Sequence, residues 1–341
     1  MRQWKGAVAA LLVSLMMVDP ASAAQALKFS DLRGWAGDDH AAALRTFRST
    51  CSALKGSAWA KVCAEAKAVR DPRKFFETRF RPVLIGGSER ALFTGYYEPE
   101  IRAARTATGP YRYPIYRKPP EMKSGRKWLS RGEIETSGVL NGRGLEIAYL
   151  SDPVEVFFLQ VQGSGRLKMP DETTLRVGFA AKNGHKYRSV GRELVRRGHY
   201  KAHQVSANTI KKWVMANGNE GQRLLHHNPS FIFFRELDKL PPEKGPLGAM
   251  NRSVTAGRSI AVDKQDVPLG APVWIEKEGA APMRRLMIAQ DTGSAIKGPQ
   301  RADIFYGTGD QAGRAAGRVR DGGRLIQLWP VEMVKSVSKG N

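Results

Sequence analysis

Cysteine is nearly absent: Cys51 and Cys63 are the only two in 341 residues. That is too few for a disulfide-dense scaffold or a cysteine zinc cluster. Histidine is also sparse, with six, and none sits in an H-E-x-x-H arrangement. His199 and His203 lie four apart with no acidic residue between them, and all the histidines, His185, His226 and His227 among them, read as surface or loop positions. No metal and no cofactor is therefore expected. After residue 18 no apolar run is long enough to cross a bilayer, and there is no repeat of fixed period. Gly163-Ser164-Gly165 lacks the third glycine and the Lys-Ser/Thr of a phosphate cradle. Ser164 also lacks a G-x-S-x-G elbow, which argues against a serine nucleophile there. Acidic residues are the other shortage: 32 Asp and Glu face 55 Lys and Arg, a formal net charge of +23.

Such an excess favours polyanions. The basic residues are scattered, however, with no long basic run and no recognisable nucleic-acid module. Nucleic acid is not expected as a partner; a solvated basic surface or another acidic polymer accounts for the charge equally well.

The amino terminus carries an export pattern. Arg2 and Lys5 precede an apolar run over residues 7–18, and Pro20 leads into the small-residue site Ala21-Ser22-Ala23. Residues 1–23 read as a secretory signal peptide, whose removal leaves a formal charge of +22. The chain is expected to be exported and periplasmic. No cysteine lies near the cleavage site, so no lipid anchor is expected. An oxidising compartment makes a disulfide between Cys51 and Cys63 the expected state of that pair.

Residues 24–82 read as a helical segment, with Asp71-Pro72 as a helix start. Phe93 to Pro99 reads as a strand, 101–130 as a long irregular connection, and 154–161 (VEVFFLQV) as a strongly apolar strand. Leu175 to Ala180 reads as another strand. Ser189 to Arg197 and Gln204 to Ala216 have amphipathic helical spacing. The tail is β-rich, with short strands over 259–262, 273–276, 285–289, 303–306 and 324–329, the spacing of a small barrel.

Chemistry concentrates in Ile288 to Asp310, IAQDTGSAIKGPQRADIFYGTGD, where Asp291, Asp303 and Asp310 share a run of glycines and β-formers. Asp291 ends one strand, Asp303 lies in the next, and Lys297 stands in the loop between. A single Asp there would more often cap a turn; two flanking one loop read as a site. Gln160, Gln162 and Ser164 are candidate polar ligand contacts. Tyr96, Tyr97, Trp274 and Phe305 are candidate sugar-stacking rings, each more often a core residue.

Seven stretches together carry a resemblance: FTGYYEP (93–99), LQVQGSGRL (159–167), NGHKYRSVGREL (183–194), NPSFIFF (228–234), VTAGRSIAVD (254–263), PLGAPVWIE (268–276) and AQDTGSAIKGPQRADIFYGTG (289–309). In that order they resemble the membrane-bound lytic murein transglycosylase A (MltA) family. The resemblance implies a mainly β chain. Residues 83–100 with 245–333 would form a double-psi β-barrel, and 101–244 an inserted second β-rich domain, with a glycan groove between them. It further implies that Asp303 is the catalytic acid, with Asp291 beside it. Tyr96, Gln162, Ser164, Asn228 and Lys297 are the expected substrate contacts, and peptidoglycan glycan strands the substrate, cut without water to leave 1,6-anhydromuramic ends. The best-known members are outer-membrane lipoproteins, whereas this leader lacks the anchor cysteine, so peripheral association with the wall or outer membrane is the expectation, with a monomer as the default. Two other readings compete: a hydrolase pairing Asp303 with Asp291 or Asp310, and a non-catalytic glycan-binding or nucleic-acid-binding barrel.

Overall fold

The computed structural model describes residues 24–337 apart from 88, 89 and 124; the expected signal peptide lies outside the described residues. Along the chain, strand β1 (Gln25–Ala26) precedes helices α1 (His40–Thr50), α2 (Ser57–Ala66) and α3 (Pro72–Arg79), then strands β2 (Phe80–Leu84) and β3 (Ala91–Glu98). Next come β4 (Glu100–Ala104), β5 (Tyr113–Tyr116), α4 (Arg131–Ser137), β6 (Glu146–Leu150) and α5 (Pro153–Gln162). β7 (Ser164–Lys168), β8 (Thr174–Lys182), α6 (Val190–Arg196), α7 (Ala207–Ala216), α8 (Gly218–His226) and β9 (Ile232–Glu236) follow. The rest comprises β10 (Ser259–Val262), β11 (Pro272–Lys277), β12 (Met283–Thr292), β13 (Arg301–Thr308), α9 (Gly309–Ala316), β14 (Arg320–Pro330) and α10 (Val331–Val337).

Six strands close on themselves in the order β14-β11-β12-β10-β13-β3, with β3 pairing back to β14. The expected double-psi β-barrel is present, and two of its ladders, β3 with β13 and β10 with β12, are parallel. Period-two alternation explains how it packs. Val273 and Ile275 of β11 and Met287 and Ala289 of β12 fill the barrel. Their neighbours Trp274, Leu286 and Ile288 face outward into a second core.

That outer core is covered by the N-terminal helices. Phe47, Trp59, Phe75, Phe76 and Phe80 pack there, and Trp35 meets Trp274 with ring centroids 5.1 Å apart. Asp71 caps α3 through Lys74 N, with Pro72 in its first turn, as the sequence signals. A disulfide joins Cys51 and Cys63. Two buried carboxylates fasten the segment to the barrel: Asp38 accepts both Arg258 terminal nitrogens at 2.8 and 2.9 Å, and Glu276 accepts Arg33 Nε at 2.7 Å. Among the described residues no helix is long and apolar enough to cross a membrane.

A second sheet, ordered β5-β6-β4-β7-β8-β9, carries helices α4–α8. It and the barrel meet at Glu98, whose fully buried carboxylate accepts Arg166 Nε at 2.9 Å, Arg176 Nη2 at 2.8 Å and Thr308 Oγ1 at 2.9 Å.

Three expectations need correction. Residues 154–161 form helix α5, not a strand. Asp152 accepts Val154 N, Pro153 sits in the first turn, and Gly163 closes the end at φ 79°. These are capping signals that outweigh a run of β-formers too short to show its period. The connection over 101–130 contains β4 and β5. His40 is buried, against Trp35, so the histidines are not uniformly superficial.

Candidate active site

The register of four barrel strands assembles the acidic centre. Ala261 on β10 is the cross-strand partner of Asp303 on one side and of Asp291 on the other. Thr94 on β3 pairs with Asp303 in turn. Asp291, Ala261, Asp303 and Thr94 thus form one row across β12, β10, β13 and β3. Neighbouring strands lie about 4.8 Å apart, so the two aspartate backbones stand about 10 Å apart. Only the methyl of Ala261 lies in the row between them.

Each carboxylate has its own donors. Thr94 Oγ1 donates to Asp303 Oδ1 at 2.5 Å and accepts from Arg301 Nη2 at 2.7 Å. A hydroxyl has one hydrogen, so Arg301 commits the Thr94 proton to Asp303 Oδ1 and leaves Oδ2 as the carboxyl's free face. Asp291 receives three donors: Thr292 N at 2.8 Å and Ala249 N at 2.9 Å on Oδ1, and the Tyr96 hydroxyl at 3.1 Å on Oδ2. The approach of Ala249 depends on Gly248, where a Cβ would stand 2.7 Å from Gln290 O and 3.3 Å from Asp291 Cγ.

Both aspartates are half-buried beneath crowded neighbours, with an edge open to the cleft. Burial pushes Asp291 up to about 6; its three donors oppose this and the Asp303 charge reinforces it. Burial also raises Asp303 above the usual carboxylate range, against the Thr94 hydrogen bond and the Arg301 charge. Each carboxyl thus keeps its proton to a higher pH than a solvated carboxylate does.

The cleft has a volume of about 850 Å³, with one wall from the barrel and the other from the second sheet. Tyr96, Asp291, Asp303 and Arg301 line the first; Gln160, Gln162, Ser164 and Asn228 line the second. The end of α5 and the start of β7 bring the two glutamines and Ser164 together. Gln162 Oε1 accepts Tyr97 N at 3.2 Å, so this residue bridges the walls. Asn228 Oδ1 accepts Arg188 N at 3.1 Å and Ser230 N at 3.2 Å, supporting the wall's own backbone.

Arg131, 1 % exposed, went unread in the sequence. Its guanidinium lies over Phe157 and Phe231 at 4.9 and 5.2 Å and donates to Gln160 Oε1. Gln160 Nε2 is left buried without a partner among the described residues. A buried donor of this kind requires an acceptor, and the side chain lines the cleft. Thr94 and Arg301 were also missed, since only the β3–β13 register reveals their relation to Asp303.

Other expected contacts stand elsewhere. Lys297 is exposed, its Nζ 3.4 Å from Asp263 Oδ2, and is not among the cleft-lining residues. Asp310 is exposed in the first turn of α9. Trp274 and Phe305 are core residues, 0 and 1 % exposed, which removes them as stacking platforms.

A family model described as the MltA specific insert domain matches residues 92–235, and one described as the 3D domain matches 258–329. The membrane-bound lytic murein transglycosylase A of Vibrio cholerae is 33 % identical over 271 residues, 76 % of this chain and 71 % of that protein. The chain belongs to the membrane-bound lytic murein transglycosylase A family. It is, with that family, an enzyme acting on peptidoglycan. The crystal structure of a membrane-bound lytic murein transglycosylase from Agrobacterium tumefaciens superposes with a TM-score of 0.82 at 34 % identity, over 92 % of this chain and 99 % of that one. Escherichia coli MltA with bound chitohexaose gives 0.70 at 30 % identity, over 87 and 90 %. The MltA insert match covers the second sheet and β3; the 3D match covers the barrel strands that carry both aspartates.

Proposed function

We propose that this enzyme cleaves the β-1,4 bond between N-acetylmuramic acid and N-acetylglucosamine with Asp303 as its one acid and base. The supporting observation is the unequal supply of donors. Asp291 is held by three, which favour its anion, whereas Asp303 has one hydroxyl on Oδ1 and an open Oδ2. Substrate covering Asp303 excludes water and raises its proton affinity further. Asp303 Oδ2 then protonates the glycosidic oxygen as the bond to C1 breaks. The C6 hydroxyl of the same muramic residue attacks C1, and its proton returns to Asp303. The bond electrons leave with the protonated N-acetylglucosamine oxygen, a 1,6-anhydro ring closes, and no water is consumed. Intramolecular attack supplies a high effective concentration, so the second carboxylate of an ordinary glycosidase is not needed. Asp291 orients and tunes from two strands away, across Ala261 of β10.

Tyr96, Gln160, Gln162, Ser164 and Asn228 line the path of the glycan, and Gln160 Nε2 would donate to a sugar oxygen. That E. coli MltA is known with chitohexaose bound supports an oligosaccharide in this cleft. Residues 83–100 with 245–333 are taken as the catalytic unit and 101–244 as the substrate unit. Export is supported by the pattern of residues 2–23 and by the disulfide. The direct test is clearance of purified sacculi by wild type and by Asp303→Ala. The substitution should abolish clearance while leaving the melting temperature within a few degrees; retained clearance removes Asp303 from the chemistry.

A further inference from the structure

The second-sheet wall of the cleft carries chemistry that bond cleavage does not use. β8 and β9 pair with Lys182 opposite Ile232 and Gly178 opposite Arg235, and their register shifts between Phe179 and Ala181. The irregularity turns two consecutive residues, Phe179 and Ala180, to the same cleft. Phe179 is 49 % exposed, unusual for a phenyl ring on a sheet. With Ile232 these side chains make an apolar floor, and a cation stands at each end of it.

Neither cation has an acidic partner among the described residues. Arg235 donates to the neutral Asn251 Oδ1 at 3.2 Å, and the Lys182 ammonium makes no hydrogen bond or ion pair among the described residues. Burial, and then the like charge of Lys297, hold the Lys182 ammonium below its ordinary range. A half-buried ammonium beside another cation is an unfavourable arrangement that an incoming anion relieves. Neutral N-acetyl sugars offer no such anion. Positions 232 and 235 lie three residues apart on β9, about 10 Å, which three residues of an extended peptide span.

We propose that this face is a subsite for the short acidic peptide attached to the muramic lactyl group. Lys182 and Arg235 take peptide carboxylates, and Phe179, Ala180 and Ile232 pack against small aliphatic side chains. The assignment rests on peptidoglycan being the substrate.

Stem-bearing glycan strands, and the same strands stripped of their peptides by an amidase with the exposed lactyl carboxylates then capped as methylamides, provide the test. The quantity read is the ratio of kcat/KM on the two. Wild type should favour the stem-bearing strands, and the ratio should fall about tenfold in Lys182→Met and in Arg235→Met, the size of one lost charge-assisted hydrogen bond. Lys182→Arg should keep the wild-type ratio. A wild-type ratio in both methionine variants, or a wild type indifferent to stems, overturns the subsite. Co-sedimentation of the same substitutions in an Asp303→Asn background yields a binding ratio that needs no turnover. If wild type released anhydro ends from neither substrate, the assigned reaction would fail, and the binding ratio would still decide the subsite.

Discussion

The Tyr96 hydroxyl donates to Asp291 Oδ2 across 3.1 Å, joining two strands that share no ladder. With two backbone amides it holds a carboxylate that burial nevertheless pushes up to about 6. A folded-state value above the unfolded 3.8 means that ionising Asp291 costs stability. The cost is absent below about pH 4 and complete above about pH 6. Asp291→Asn should therefore be the more stable protein at pH 7, by about 1 kcal/mol after allowance for its open edge. Urea midpoints between pH 4 and 8 check this: the gap should close as the pH falls, and a gap independent of pH would remove the charge as its cause.

Thr94 connects Arg301 to Asp303 and confines the carboxyl's donors to Oδ1. Replacing it with valine keeps the shape and removes the hydroxyl. The turnover number should drop by about tenfold with little change in KM, since the lost contact orients a reacting group. Unchanged turnover would mean that the proton's position on Asp303 is set by something other than Thr94.

Glu98 neutralises two arginines where the two sheets meet, with Thr308 as a third donor. Glu98→Gln leaves both guanidiniums buried without a counter-charge, a change of about 3–5 kcal/mol for buried pairs. Chemical denaturation should record a loss of that size. A loss under 1 kcal/mol would show that water reaches the junction.

The formal charge of +23 predicts that sacculus binding weakens with salt, because interactions between exposed charges are screened beyond about 8 Å at physiological ionic strength. Pull-down of Asp303→Asn on sacculi at low and moderate salt should show the decline. Binding insensitive to salt would detach the basic surface from recognition of the wall.

Much of the barrel was legible because its strands alternate with period two and are separated by glycine-rich turns; Asp291 and Asp303 stood out for the same reason. The run over 154–161 misled, since eight residues, six of them apolar and rich in valine and phenylalanine, suit a buried strand as well as a helix. The decisive signals lay just outside it, at Asp152, Pro153 and Gly163. Trp274 alternates correctly but faces the N-terminal helices, a partner surface that local pattern does not disclose. The pairing of Glu98 with Arg166 and Arg176, and of Arg131 with Gln160, joins residues 29 to 78 apart in the chain. Charge and amide side chains carry no periodic signal, so such partners emerge only from the assembled fold.

Digestion of sacculi in water enriched in oxygen-18, followed by mass spectrometry of the released muropeptides, tests the central claim most directly. Attack by the sugar's own C6 hydroxyl predicts 1,6-anhydromuramic ends, one water lighter than reducing ends and free of the label. Reducing ends carrying oxygen-18 would contradict it and assign the second carboxylate the work of activating water.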